Sequence, residues 1–212
     1  MKQCIVVGSG PVKSLSVFEE YDAKNAFVIC ADGGLDTALA AKVKPNVVIG
    51  EFDSAKSSPP ANTETIRLLR EKDDTDMISA VKEGLRRGYN DFVLLGAMGG
   101  RFDHMYANIC TLQYILSKGG RGLMADKDEK IFLMPGGRLH LRGMRGNTAS
   151  VYPFGCANAT VSYTGMKYPL NEEVLTIPEP RGTSNIIDSD DATITVLSGQ
   201  ILIYVINADA VK

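Results

Sequence analysis

Apolar residues fall into two patterns along this chain, and the change between them divides it. Up to about residue 134, short unbroken apolar runs alternate with stretches of helical period. The runs are Cys4–Val7, Phe27–Ala31, Val47–Gly50, Phe92–Gly96 and Arg121–Ala125, and the helical stretches lie near 34–42, 75–87 and 103–117. Unbroken runs suit strands buried on both faces, and this alternation predicts a parallel sheet covered by helices. In the last helical stretch Met105, Ile109, Leu112 and Leu116 are spaced four, three and four apart, which predicts one stripe facing the sheet.

Past Pro135-Gly136-Gly137 the helical period disappears and Gly and Thr become frequent. Leu139-His140-Leu141-Arg142 and Ala192-Thr193-Ile194-Thr195-Val196 alternate, and a turn at Ser198-Gly199 predicts an antiparallel hairpin of Thr193–Leu197 with Ile201–Ile206. The expected architecture is an α/β, Rossmann-like domain over residues 1–135, with helices on both faces of a parallel sheet. A small all-β sandwich over 136–212 is expected to follow.

Composition narrows the function classes. With 23 basic and 25 acidic residues and a net charge of -2, the chain lacks the broad basic face of a nucleic-acid binder. Cys4, Cys30, Cys110 and Cys156 form no Cys-x-x-Cys pair and have no His at zinc spacing, so reduced thiols are expected. The first apolar stretch ends at Gly8, far short of a signal sequence, and no stretch approaches transmembrane length. A cytoplasmic protein without a membrane partner is expected.

Three acidic clusters carry the candidate chemistry: Gly50-Glu51-Phe52-Asp53-Ser54, Lys72-Asp73-Asp74-Thr75-Asp76 and Gly99-Gly100-Arg101-Phe102-Asp103-His104. The first and third follow strand-like runs, and parallel sheets collect their reactive groups beyond the carboxyl ends of strands. Gathered carboxylates repel one another unless a cation or a proton relieves them. Asp73 and Asp76 share one face of a helix start, where acids also serve as caps. Combined with Asp53 and Asp103 beyond two other strands, they point to a divalent metal. Glu51 and Asp53, two apart in an extended segment, point the same way and suit one shared ion. Arg101 beside a glycine loop suits a polyphosphate, while His104 reads as a structural hydrogen-bonder that shares a helix face with Asn108. Gly8-Ser9-Gly10 is an incomplete dinucleotide fingerprint, with Lys13 where a third Gly belongs. Asp32-Gly33-Gly34 suits either a turn and cap or a nucleotide lying against the backbone.

In order and spacing, these motifs together with Ala31-Asp32-Gly33-Gly34, Gly165-Met166-Lys167-Tyr168-Pro169-Leu170 and Gly182-Thr183-Ser184-Asn185 resemble the thiamine pyrophosphokinase family over most of the chain. The resemblance implies an α/β catalytic domain, a β-sandwich that helps hold thiamine, and a homodimer with active sites at the subunit interface. It implies transfer of the terminal pyrophosphoryl group of ATP to the thiamine hydroxyl, giving thiamine diphosphate and AMP. By position, Asp53, Asp73 and Asp76 hold Mg2+ and triphosphate. Arg101, Asp103 and Asn108 belong to the nucleotide and phosphate pocket with Asp32, Gly33 and Gly34, and Ser184 and Asn185 face thiamine.

Where the family loop reads Gly-Asp-Phe-Asp, this chain has Glu51. The carboxylate moves by about one bond length, so a direct and a water-mediated metal contact both stay open. Relatives that stack thiazolium on Trp have no counterpart here, and Tyr168 or Tyr204 is the expected cation–π partner. In-line attack on the β-phosphorus then rests on positioning and charge neutralisation, with Asp76 or Asp103 accepting the hydroxyl proton. The rival readings are a nucleotidyltransferase, a kinase for another small alcohol, and a non-catalytic nucleotide or thiamine sensor.

Overall fold

The computed structural model describes residues 2–51, 56–69 and 73–210, and these form two compact units, Met1–Lys127 and Asp128–Lys212. The units divide eight residues before the boundary expected from the sequence, because Glu129–Met134 is a strand of the second unit.

Among the described residues the first unit holds six strands: β1 (Gln3–Val7), β2 (Phe27–Ala31), β3 (Val47–Gly50), β4 (Glu64–Arg67), β5 (Asp91–Leu95) and β6 (Arg121–Ala125). All their pairings are parallel, in the order β6-β5-β1-β2-β3-β4, with Cys4 of β1 opposite Phe27 on one side and Phe92 on the other. Four helices lie among them: α1 (Val17–Glu20), α2 (Gly34–Ala40), α3 (Asp76–Arg86) and α4 (Phe102–Ser117). Cys4 through Val7 are wholly buried, as the unbroken apolar run requires. The strand order runs away from β1 in both directions, β2 on one side and β5 on the other. A crevice therefore opens beyond the carboxyl ends of β1 and β5, where ligands of open α/β sheets bind.

The buried line of α4 is Thr111, Leu112 and Ile115, while Met105, Ile109 and Leu116 of the expected stripe are half-buried. The packed face is thus rotated toward small residues such as Ala107 and Thr111, whose side chains allow close packing. Phe102 and Tyr106 are left exposed, their ring centroids 6.2 Å apart.

Among the described residues the second unit has eight strands: β7 (Glu129–Met134), β8 (Gly137–His140), β9 (Thr148–Pro153), β10 (Asn158–Thr164), β11 (Leu170–Thr176), β12 (Asn185–Ile186), β13 (Thr193–Ser198) and β14 (Ile201–Ile206). They form two antiparallel arrangements, β12-β9-β14-β7 and β11-β10-β13-β8. The expected hairpin is therefore absent: β13 pairs with β10 and β8, whereas β14 pairs with β7 and β9.

At Gly199 (φ +77°) the chain instead crosses from one sheet to the other. A Cβ there would lie 2.6 Å from the Asn158 carbonyl oxygen. The alternation of Thr193–Val196 and the alternating burial of Ile201–Ile206 serve a shared core. Ile194 and Val196 from one sheet join Ile201, Ile203 and Val205 from the other in a single buried cluster. Among the described residues no helix is long and apolar enough to cross a membrane.

Candidate functional site

The crevice predicted by the strand order is a cavity of about 730 Å3 in the first unit, lined by the loops after β1 and β5, by Asp32 and Glu51, and by the starts of α3 and α4. Glycine makes this geometry possible. A Cβ on Gly10 would lie 2.5 Å from the Gly96 carbonyl oxygen, so the two loops meet backbone against backbone. Gly34 serves a different need. Its Cβ would lie 2.0 Å from the Val7 carbonyl oxygen, so it lets α2 press against β1, behind the cavity.

Asp32 follows β2 in a left-handed conformation (φ +46°), and its N–H donates to the Ile49 carbonyl at 2.8 Å. Its backbone touches Gly50, where a Cβ would lie 3.0 Å from the Asp32 Cα, and this brings Glu51 to the same wall. The Asp32 Oδ1 atom is buried and accepts no hydrogen bond. An ionised oxygen in that state is costly, and a cation or a ligand donor relieves it.

Capping at α3 falls to Thr75, whose hydroxyl accepts the Ile78 N–H at 3.4 Å. The neighbouring acids do not carry the cap. Asp76, the first residue of α3, is half-buried and lines the cavity; so does Asp74, which is ion-paired with Lys82 at 2.6 Å. Asp73 is exposed just before the helix and does not line the cavity. Asp53 lies outside the described residues. The chain beyond it is tethered by Asp36 of α2, which accepts the N–H groups of Lys56 and Ser57, each at 2.9 Å. The Ser57 hydroxyl and then the Lys56 N–H hold the Asp36 carboxyl below its ordinary range.

Arg101 and Asp103 form a forked pair, Nε to Oδ1 at 3.1 Å and Nη2 to Oδ2 at 2.6 Å, with both side chains exposed on the cavity. The guanidinium lowers the Asp103 carboxyl below its usual range. Asn108 donates from Nδ2 to the Ala97 carbonyl at 2.9 Å and so braces the glycine loop. His104 is exposed, its N–H on Asp103 Oδ1.

Among the described residues no three acidic, imidazole or thiol groups stand close enough to hold one metal ion. Even so, Glu51, Asp74 and Asp76 present hard oxygen donors to one cavity with room for phosphates. Mg2+ uses one or two carboxylates plus phosphate and water oxygens, so this donor set fits it.

In the second unit Ser184 is exposed in a left-handed conformation (φ +57°), its N–H donating to the Ser150 hydroxyl at 3.0 Å. Asn185 is buried and fully engaged. Its Oδ1 accepts the Tyr168 N–H at 3.0 Å and the Ile186 N–H at 2.9 Å, and its Nδ2 donates to the Tyr168 carbonyl at 2.7 Å. It therefore shapes the chain around Tyr168, whose ring is exposed. The sequence reading passed over one further acid, Asp126, buried at the end of β6. Like Asp32 after β2, it stands directly after a parallel strand.

Comparison with known proteins bears on both units. Residues 18–121 match the family model for the thiamin pyrophosphokinase catalytic domain, and residues 138–201 match that for the thiamin pyrophosphokinase vitamin B1 binding domain. A thiamine pyrophosphokinase of Bacillus subtilis is 27% identical, covering 99% of this chain and 100% of its own length. Thiamine pyrophosphokinase 3 of rice is 26% identical over 84% of this chain and 78% of its own. In fold, the crystal structure of the Bacillus subtilis protein aligns with a TM-score of 0.87 at 24% identity, covering 97% of this chain and 99% of that one. That of Geobacillus thermodenitrificans aligns at 0.79 with 22% identity, covering 97% of each.

Proposed function

This chain belongs to the thiamine pyrophosphokinase family, and on that premise we propose that it transfers the pyrophosphoryl group of ATP to the hydroxyl of thiamine, giving thiamine diphosphate and AMP. The observation that carries the proposal is the cavity between the loops after β1 and β5. It combines backbone glycines, one guanidinium and several carboxylates at the carboxyl ends of parallel strands. That mixture suits a polyphosphate far better than an apolar ligand.

In this reading the first unit is a Rossmann-like ATP-binding domain and the second a β-sandwich that helps hold thiamine, in a cytoplasmic homodimer. Ser9 and the glycine loop at Gly99 and Gly100 face the phosphate chain, with Asp32 at the nucleotide. Glu51 and Asp76, on the cavity wall, would hold Mg2+ together with Asp53, and Asp73, at the start of the same acidic run as Asp76, would join them when the phosphates bind. Bound there, Mg2+ neutralises phosphate charge. Arg101 exchanges Asp103 for a phosphate oxygen, a step that costs little because both partners are exposed. The thiamine hydroxyl attacks the β-phosphorus in line, the bond from that phosphorus to the oxygen it shares with the α-phosphorus breaks, and AMP leaves with that oxygen. The hydroxyl proton passes to a carboxylate of the cavity wall, Asp76 or the Asp103 that Arg101 has released. Tyr168, presented by Asn185, offers its ring to the thiamine cation.

The test is an omission series on the purified chain, with nucleotides separated by chromatography. AMP is expected only when ATP, Mg2+ and thiamine are all present, and chelation with EDTA abolishes it. ADP would point to simple phosphoryl transfer and free pyrophosphate to nucleotidyl transfer. Thermal stabilisation by the ligands without any product would point to a sensor.

A further inference from the structure

We propose that Asp126 is a positioning residue for nucleotide binding: its buried carboxylate pins the loop after β1 and, through Pro11, the glycine loop after β5. The inference rests on the functional reading above and concerns a residue that does not line the cavity.

Asp126 is 5% exposed, directly beyond β6. Both of its oxygens accept the Lys13 N–H, at 3.2 and 3.1 Å, and Oδ1 also accepts the Lys127 N–H at 2.8 Å. A buried carboxylate is tolerated where donors satisfy it, and hydrogen bonds to an ionised acceptor are about twice as strong as neutral ones. The Lys13 contact joins residues 113 apart in sequence, so it is not local turn chemistry.

The other end of the same loop is held by main chain. Gly8 N–H donates to the Leu95 carbonyl at 2.8 Å and Gly10 N–H to the Gly96 carbonyl at 2.9 Å. Pro11 lies between these two anchors. A Cβ on Gly99 would meet its Cγ at 3.1 Å, and one on Gly100 its Cδ at 3.4 Å. Gly99 and Gly100 both hold left-handed conformations against that ring, and Arg101 follows them. Releasing Lys13 from Asp126 therefore unfastens Pro11, and with it the support under Gly99 and Gly100. The consequence falls on the phosphate-facing backbone and spares the thiamine side.

The experiment uses the full chain, steady-state kinetics in each substrate, and amide hydrogen exchange over residues 8–13. Asp126→Asn keeps one acceptor oxygen and Asp126→Ala keeps none. The expected result is a KM for ATP raised about threefold in Asp126→Asn and about tenfold or more in Asp126→Ala, with kcat within about threefold and the thiamine KM within about twofold. Amides in residues 8–13 exchange faster in Asp126→Asn than in the unaltered chain.

If Asp126→Ala fails to fold, Asp126→Asn decides alone. The inference is overturned if Asp126→Asn matches the unaltered chain in ATP KM and in exchange over residues 8–13. It is also overturned if the variant raises both KM values equally, as general loosening would. Failure of the functional reading is distinguishable, because it shows as missing AMP formation in the unaltered chain.

Discussion

In the first unit Asp32, Glu51, Asp76 and Arg101 stand around a cavity, one with a buried oxygen that accepts no hydrogen bond and another in an exposed ion pair. In the second, Asn185 is buried and every polar atom of its side chain is spent on the main chain of Tyr168 and Ile186. Both residue sets stand in motifs of similar appearance, short polar runs beside strands. The difference teaches that a motif residue can serve a ligand directly or can serve the backbone that meets the ligand. Only the hydrogen-bond accounting separates the two.

That comparison is broken most forcefully at the acids of the cavity. Asp76→Asn is expected to lower kcat by at least about 100-fold, about 2.7 kcal/mol of transition-state stabilisation, while circular dichroism and thermal midpoint stay near those of the unaltered chain. Asp73→Asn, at an exposed position outside the cavity wall, is expected to cost at least about tenfold. Near-normal turnover in both would remove this pair from the metal and phosphate site.

Asn185→Ala is expected to behave in the opposite manner, because it strands a buried N–H and a carbonyl of Tyr168. Denaturant unfolding should register a loss of about 2 kcal/mol. Kinetics should show a raised KM for thiamine with that for ATP little changed. A variant that loses thiamine affinity with full stability would instead make Asn185 a direct ligand.

A smaller effect tests the division of labour at α3. Thr75→Ala removes the hydroxyl that accepts the Ile78 N–H and should cost about 1 kcal/mol in chemical denaturation, with kcat preserved. An equal loss from Asp73→Asn would mean that the acids do the capping after all.

The parallel strands of the first unit were legible because burial on both faces leaves unbroken apolar runs. The exception, β4, is an edge strand with three exposed residues of four and carries no such run. The alternation of Ala192–Val196 was legible as well, but alternation reports which side is buried and says nothing about which strand is the neighbour. The short turn at Ser198-Gly199 fits a hairpin and a crossing between sheets equally well, and the close approach of Gly199 to Asn158 belongs to the crossing. The acidic clusters located the cavity. The roles inside them did not follow from spacing, because Thr75 rather than an acid caps α3, while Asp36 and Asn108 take up backbone groups 20 and 11 residues away. Asp126 stands directly after a strand as Asp32 does, and its importance emerges only with Lys13 brought beside it from 113 residues away.

An effect on stability with none on kinetics is expected in the core of the first unit, away from either ligand site. Burial pushes the thiols of Cys4 in β1 and Cys30 in β2 up to about 12, so both stay neutral in the fold. Because the folded values are raised, the stability they contribute is complete below the unfolded thiol range near about 8.5 and is lost as pH climbs toward about 12. Denaturation at stepped pH should show a decline beginning above about pH 9, steeper in the unaltered chain than in Cys30→Ala. Exposed Cys110 should react with thiol reagents in the native chain well before Cys4 and Cys30.

The central claim, that the cavity beyond β1 and β5 moves a pyrophosphoryl group from ATP to thiamine, is tested most directly by following the reaction by phosphorus NMR. The account predicts that AMP and thiamine diphosphate appear together, one for one, as ATP disappears. ADP with thiamine monophosphate, pyrophosphate with an adenylylated thiamine, or ATP left intact beside thiamine would contradict it.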